Sequence, residues 1–263
     1  MFRLLETTAS YVPGKNTLVY DFLDYYNKPV DNTTASFVIG FYKNQLVLAR
    51  NLRRGIEIAG GHIEPCETVE QAGIREIKEE TGAIVKKVRP FVRSTLVCDF
   101  EKPEHYKYPF PVSHMEFMIA DIERMTDDIM TSEVGAPILI PVEMFDDTVV
   151  KDLSKLSSED QLEFLDKMKN EAFRIKIDLA IRAHFDYLEE QRIRKLTKFM
   201  ILTADTVEVT SKKILEAGGE FLYHQIPGNY YVAGFEDEDI GRAFQKEFND
   251  YAAEKMKCLI IEK

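Results

Sequence analysis

The chain has 263 residues, long enough to bury a core without disulfides or a structural metal. A hydrophobic share of 45% and a charged share of 30% exclude a disordered chain. Lys and Arg number 34 against 45 Asp and Glu, and the resulting net charge of −11 disfavours general DNA or RNA coating. An anionic substrate remains compatible with that charge where a divalent metal carries the positive end.

In chain order, Ala35–Tyr42 and Leu46–Arg50 are predicted strands joined around Lys43-Asn44-Gln45 as a hairpin. A helix is predicted over Thr68–Thr81, opened by the capping box Thr68-Val69-Glu70-Gln71 and stopped by Gly82. Val88–Phe100 and Met115–Ile122 read as strands separated by a loop rich in Pro and Tyr, and Ala136–Val142 as a further short strand. From Leu153 to Arg194 apolar residues recur at helical spacing in two rows, one through Leu162, Leu165 and Met168, the other through Phe173, Ile177, Ile181 and Phe185. The last segment reads as strand Lys198–Ala204, helix Thr206–Ala217, strands Glu220–Gln225 and Tyr230–Phe235 around Pro227-Gly228-Asn229, a helix to about Lys255, and a closing strand Cys258–Glu262. That order is βαββαβ, the ferredoxin-like pattern. The expected organisation is therefore three parts: residues 1–150, a helical segment 151–196 packing on them, and a small α+β domain 197–263.

Cys66, Cys98 and Cys258 are odd in number, far apart and form no CxxC pair, so a disulfide framework and a zinc site are not expected. No run approaches the roughly 18 apolar residues of a membrane span, and the first residues lack a secretory pattern. A cytoplasmic location is the expectation.

The stretch that carries chemistry is Gly61–Ala83, GHIEPCETVEQAGIREIKEETGA. Glu76, Glu79 and Glu80 stand at i, i+3 and i+4, so their carboxylates share one helical face. Their mutual repulsion destabilises an isolated helix and turns favourable around a hard divalent cation; oxygen-only donors suit Mg²⁺ or Mn²⁺. Gly60-Gly61 permits a tight turn that can aim a backbone carbonyl at the metal.

The same stretch resembles the signature of the Nudix hydrolases, G-x5-E-x7-R-E-U-x-E-E-x-G-U, where U is a bulky aliphatic residue. Gly61, Glu67, Arg75, Glu76, Glu79, Glu80 and Gly82 match every fixed position; Ile77 fills the first U and the smaller Ala83 the second. At about 7% usage per residue type, chance produces such a match in roughly 10⁻⁸ of windows. The resemblance implies an α/β/α sandwich with a mixed sheet over residues 30–150 and does not explain residues 197–263. It further implies hydrolysis of a diphosphate linkage in a nucleoside diphosphate joined to another group, with metal held by Gly61, Glu76, Glu79 and Glu80. The family arginine pairs with a glutamate to steady loop and helix, which assigns Arg75 to Glu67. The proton acceptor implied is either one of Glu76, Glu79 and Glu80 or, as in some members, a glutamate from a later loop, for which Glu133 is the candidate here.

Arg50, Arg53 and Arg54 precede the signature and are candidates to hold the substrate's phosphates or ribose. Tyr108-Pro109-Phe110-Pro111-Val112-Ser113 resembles part of the S-Q-P-W-P-F-P-x-S pattern of NADH pyrophosphatases, with Tyr108 in place of Trp and the S-Q-P portion missing. Tyr108 and Phe110 are thus candidates to stack a base, or else aromatics tucked into the core. NADH, ADP-ribose-like sugars, nucleoside triphosphates, dinucleoside polyphosphates and capped RNA ends stay open as substrates, and a homodimer stays open as the assembly. The competing reading is a nucleotide-sensing regulator or interaction protein without turnover. Against it stand the full set of signature glutamates and a tail from Leu196 with 8 Lys and Arg against 12 Asp and Glu, poor for gripping DNA.

Overall fold

Thr68 opens helix α1 (Val69–Thr81) in the computed structural model, its hydroxyl accepting from the Gln71 N–H while the Gln71 side chain accepts from the Thr68 N–H. Gly82 ends the helix at φ 71°, a left-handed conformation that Gly adopts without a Cβ penalty. The structure describes residues 2–23, 30–142, 145–146, 149–150, 156–202, 206–225 and 230–261. They form two compact units, Met1–His184 and Phe185–Lys263.

The first unit is built on strands β1 (Phe2–Thr7), β2 (Asn16–Phe22), β3 (Thr33–Tyr42), β4 (Gln45–Asn51), β5 (Gly55–Glu57), β6 (Ala59–His62), β7 (Ala83–Cys98), β8 (Val112–Met125) and β9 (Val134–Pro141). The sheet runs β1-β2-β7-β8-β3-β4-β5, with β6 also on β3 and β9 also on β4. β3 and β8 pair in parallel and the other pairs are antiparallel, so the sheet is mixed. The hairpin between β3 and β4 turns on Lys43 and Asn44, both at positive φ, tighter than the three-residue loop expected. A further small pair, β10 (Phe145–Asp146) with β11 (Val149–Val150), follows β9.

Strand alternation sorts the core onto two faces. Val38, Val47, Ala49, Met118 and Ala120 pack against Val69 and Ile77 of α1. Their neighbours Ile39, Phe41, Leu46, Leu48, Phe117 and Ile119 share the other core with α2 (Ser158–Met168) and α3 (Glu171–Lys195), through Phe164, Met168, Ile177, Ala180 and Ile181. Helices on both faces of a mixed sheet make this unit the expected α/β/α sandwich. Each fully buried Val, Leu, Ile, Phe or Met side chain among them contributes on the order of 1.5–3 kcal/mol. Leu162 and Leu165, expected in an apolar row, are exposed; Phe164 and Met168 hold the buried face of α2 instead.

The second unit contains β12 (Thr197–Leu202), α4 (Val207–Glu216), β13 (Glu220–Gln225), β14 (Tyr230–Phe235) and α5 (Glu238–Ile261), with the antiparallel sheet order β12-β14-β13. Phe199, Ile201, Ile214, Tyr231, Phe235, Phe244 and Phe248 form its core. The strand expected over Cys258–Glu262 is not formed, because α5 continues through Ile261. No proline or turn separates Cys258-Leu259-Ile260-Ile261 from the preceding helix, and so short an apolar run does not discriminate strand from helix. The described order is therefore β-α-β-β-α, without the last strand of the ferredoxin-like pattern. The expected turn at Pro227-Gly228-Asn229 lies outside the described residues. Among the described residues no helix is long and apolar enough to cross a membrane.

Candidate functional site

The site is assembled from α1 and the short strands β5 and β6 that precede it. Register places Gly60 opposite Phe37 and Gly61 opposite Ser36, so the turn before α1 is fixed to the central strand β3. A Cβ on Gly61 would stand 2.7 Å from the Glu76 carboxyl carbon, which explains why the smallest residue sits there.

Arg75 organises the acids around it. Its Nε and Nη2 donate to the two carboxylate oxygens of Glu67 at 2.8 and 3.0 Å, Nη1 donates to Glu76 at 2.8 Å and Glu79 at 3.3 Å, and Nη2 reaches the His62 carbonyl at 3.1 Å. The hydrogen bonds from Arg75 hold the Glu67 carboxyl below the usual carboxylate range. Glu67 and Glu76 in turn keep Arg75 charged.

Glu80 lies on the opposite balance. Burial pushes its carboxyl up to about 7 against the Gly60 N–H, which donates to it at 3.0 Å, and the nearby Glu76 and Glu57 charges push the same way. A carboxylate short of counter-charge, set among other carboxylates, is an environment that a cation relieves.

Glu57, Gly60 and Glu80 face a cavity of about 680 Å³, which is also lined by Tyr20, Phe37, Phe117 and Lys176. Phe37 and Phe117 are stacked with centroids 5.0 Å apart, and the Lys176 ammonium lies 4.3 Å from the Phe117 centroid and 5.1 Å from that of Tyr20. Acids and stacked rings therefore line one space in the first unit.

Two comparisons bear on this geometry. The family model for the NUDIX domain matches residues 32–147. A Bacillus subtilis (strain 168) protein named "Putative 8-oxo-dGTP diphosphatase YtkD" is 31% identical over 131 residues, which cover 46% of this chain and 77% of that protein. This chain belongs to the Nudix family. It is a Nudix hydrolase. Among solved structures, the Bacillus subtilis pyrophosphohydrolase BsRppH is 25% identical, with 68% of this chain and 98% of that chain covered and a TM-score of 0.46. A structure described as an ADP compounds hydrolase is 19% identical, with 72% and 94% covered and a TM-score of 0.37.

Nudix hydrolases use divalent metal ions, and the donor set here fits one. Glu57, Glu76, Glu79 and Glu80 supply hard oxygen donors, and the acids that crowd Glu80 are those a cation would neutralise. Among the described residues no three such groups already converge as a finished ligand cluster. Arg75 occupies Glu76 and Glu79 instead.

The other candidates fall in different places. Arg50 pairs with Asp160 and, at 3.5 Å, with Glu163, both on α2, and holds the Asp160 carboxyl below its usual range. Glu163 also accepts from the Ile56 N–H, so Arg50 belongs to the joint between β4, β5 and α2. Arg54 donates from Nε to both Glu57 oxygens at 2.9 Å and lines the cavity. The Arg53 side chain is exposed, and its N–H is held by Asn51 at 2.9 Å. Tyr108 stacks on His62 at 5.4 Å, next to the signature glycines. Phe110 packs edge-on against Phe100 and Tyr106. Glu133 is exposed, and its carbonyl accepts from the Leu52 N–H at 2.9 Å.

Sequence reasoning missed Glu57, Tyr20, Phe37, Phe117 and Lys176. Glu57 had a local cue, three residues after Arg54 and just ahead of the glycine pair. The others come from four separate elements, and no spacing in the chain links them.

Proposed function

We propose that the chain hydrolyses a diphosphate linkage in a nucleoside diphosphate derivative, with Mg²⁺ or Mn²⁺ held by Glu76, Glu79, Glu80 and the Gly61 carbonyl. The observation that carries this reading is the Glu80 carboxylate, fixed by the Gly60 N–H and crowded by Glu57 and Glu76, in the wall of a cavity that also contains stacked aromatic rings.

When bound, the metal neutralises phosphate charge and lowers the pKa of a bound water. The chain's own residues do the rest. Arg75 ties Glu67, Glu76 and Glu79 together, so the loop before α1 and the helix present their acids as one rigid set. Arg54 and Lys167 line the same cavity and supply positive charge for the phosphates. The Phe37–Phe117 pair and Tyr20 offer the base an apolar surface. On this reading the base lies in the cavity and not on the Tyr108 loop, since neither Tyr108 nor Phe110 is among the residues that line it.

The test is hydrolysis of nucleoside triphosphates, ADP-ribose, NADH and capped RNA by the full chain, with products identified by mass. EDTA is expected to silence turnover and Mg²⁺ or Mn²⁺ to restore it. Turnover that persists in EDTA would contradict the reading.

A further inference from the structure

Lys176 lies outside the residues that match the NUDIX domain, on a helix that follows it, yet its side chain lines the same cavity as Glu80. It is set there by its neighbours: Ile177 and Ala180 are fully buried in the core on the α2–α3 side of the sheet, and Ala172 and Phe173 pack against that core. This anchoring gives the ammonium a defined place over two rings, 4.3 Å from the Phe117 centroid and 5.1 Å from that of Tyr20.

The chemistry of that place is specific. A lysine ammonium has three donors and no acceptor. Among the described residues no carboxylate pairs with Lys176 and no oxygen accepts from it; the ring faces take part of its charge. Burial lowers its pKa to about 8, which leaves it protonated at neutral pH. A partly dry cation with unfilled donors makes a ligand acceptor correspondingly favourable. The stacked Phe37 and Phe117 beside it suit a flat heterocycle.

We infer that Lys176 donates a hydrogen bond to a ring carbonyl of the substrate's base and so selects keto bases over amino bases. The inference rests on the diphosphate-hydrolase reading of the same cavity. Guanine, hypoxanthine and uracil present a carbonyl where adenine and cytosine present an amine. An amine brings a second donor to the ammonium and offers it no acceptor at that position, a mismatch that a hydrogen-bonding site rejects. A hydrogen bond to a charged donor corresponds to about ten- to a hundredfold in affinity.

The test is equilibrium binding of GDP and ADP to the full chain and to Lys176→Met, which keeps the length and apolar stem of the side chain. The same proteins are assayed for GTP and ATP hydrolysis, and thermal melting verifies the fold. Wild-type protein is expected to favour GDP by about tenfold or more, and Lys176→Met to erase that preference by weakening GDP and relieving the donor–donor penalty on ADP. Lys176→Gln, which offers both a donor and an acceptor, is expected to fall between them. No preference in the wild type, or an equal loss for both nucleotides in Lys176→Met, would overturn the inference. A GDP preference that depends on Lys176 without hydrolysis of any nucleotide would sink the hydrolase reading for these substrates and leave the base selection standing.

Discussion

Arg75 grips both carboxylate oxygens of Glu67, at 2.8 and 3.0 Å, while its remaining nitrogen donates to Glu76 at 2.8 Å. One guanidinium thus couples the loop before α1 to the acids on the helix. Glu67→Gln removes the charge from one side of this clamp and leaves Arg75 to the helix acids. Turnover is expected to fall about ten- to a hundredfold, with a lower melting temperature, because a supporting partner of metal-ligating groups is lost. Assays at saturating substrate and Mg²⁺ check this, and unchanged turnover would refute the clamp.

Gly61 and Glu76 approach so closely that any side chain at 61 displaces the carboxylate. Gly61→Ala is expected to raise the Mg²⁺ concentration for half-maximal turnover about tenfold or more, with little change in melting temperature. A titration of activity against Mg²⁺ reads the effect directly. An unaltered metal requirement would remove Gly61 and Glu76 from the metal site.

The legible part of the molecule was the local part. Thr68, Gln71 and Gly82 specify α1 within a few residues of one another, and the spacing of Glu76, Glu79 and Glu80 places three acids on one face. Strands β1 and β2 went unread because β2 finds its partner far along the chain, Asn16 opposite Cys98. Arg50 looked available for a phosphate until α2 brought Asp160 and Glu163 to it from more than a hundred residues away. The ring-lined wall of the cavity has the same character: Tyr20, Phe37, Phe117 and Lys176 meet only through the sheet and α3. At the other end, the strand expected over Cys258–Glu262 gives way to the last turn of α5, because the four apolar residues Cys258–Ile261 fit either.

Lys176 carries a pH signature. Its folded value of about 8 lies below the ordinary 10.5, so between these values the unfolded chain holds the extra proton and stability rises with pH. Below pH 8 the buried charge costs its full amount. Glu57, Glu80 and Glu171 and the cations of Arg54 and Lys167 line the same cavity and are common to wild type and Lys176→Met, so the variant isolates the lysine. Lys176→Met is therefore expected to be more stable than wild type by about 1–3 kcal/mol at pH 7, with the gap closing from pH 8 to 10.5. Urea unfolding across that range checks it. A gap independent of pH would show that Lys176 is not the titrating group.

Phe164 is fully buried where α2 meets the sheet and packs edge-on to Phe173. Phe164→Ala leaves a cavity there and is expected to cost about 3–5 kcal/mol, measured by urea unfolding. A loss below about 1 kcal/mol would mean that α2 is not part of the folded core of the first unit.

The most direct test of the central claim is hydrolysis of nucleoside diphosphate derivatives by wild type, Glu79→Gln and Glu80→Gln in Mg²⁺, with products identified by mass and the fold followed by thermal melting. The account predicts cleavage at the diphosphate linkage in the wild type and a loss of about a hundredfold or more in each variant, with cooperative melting retained. Wild-type rates in both variants, or cleavage at a bond other than the diphosphate linkage, would contradict it.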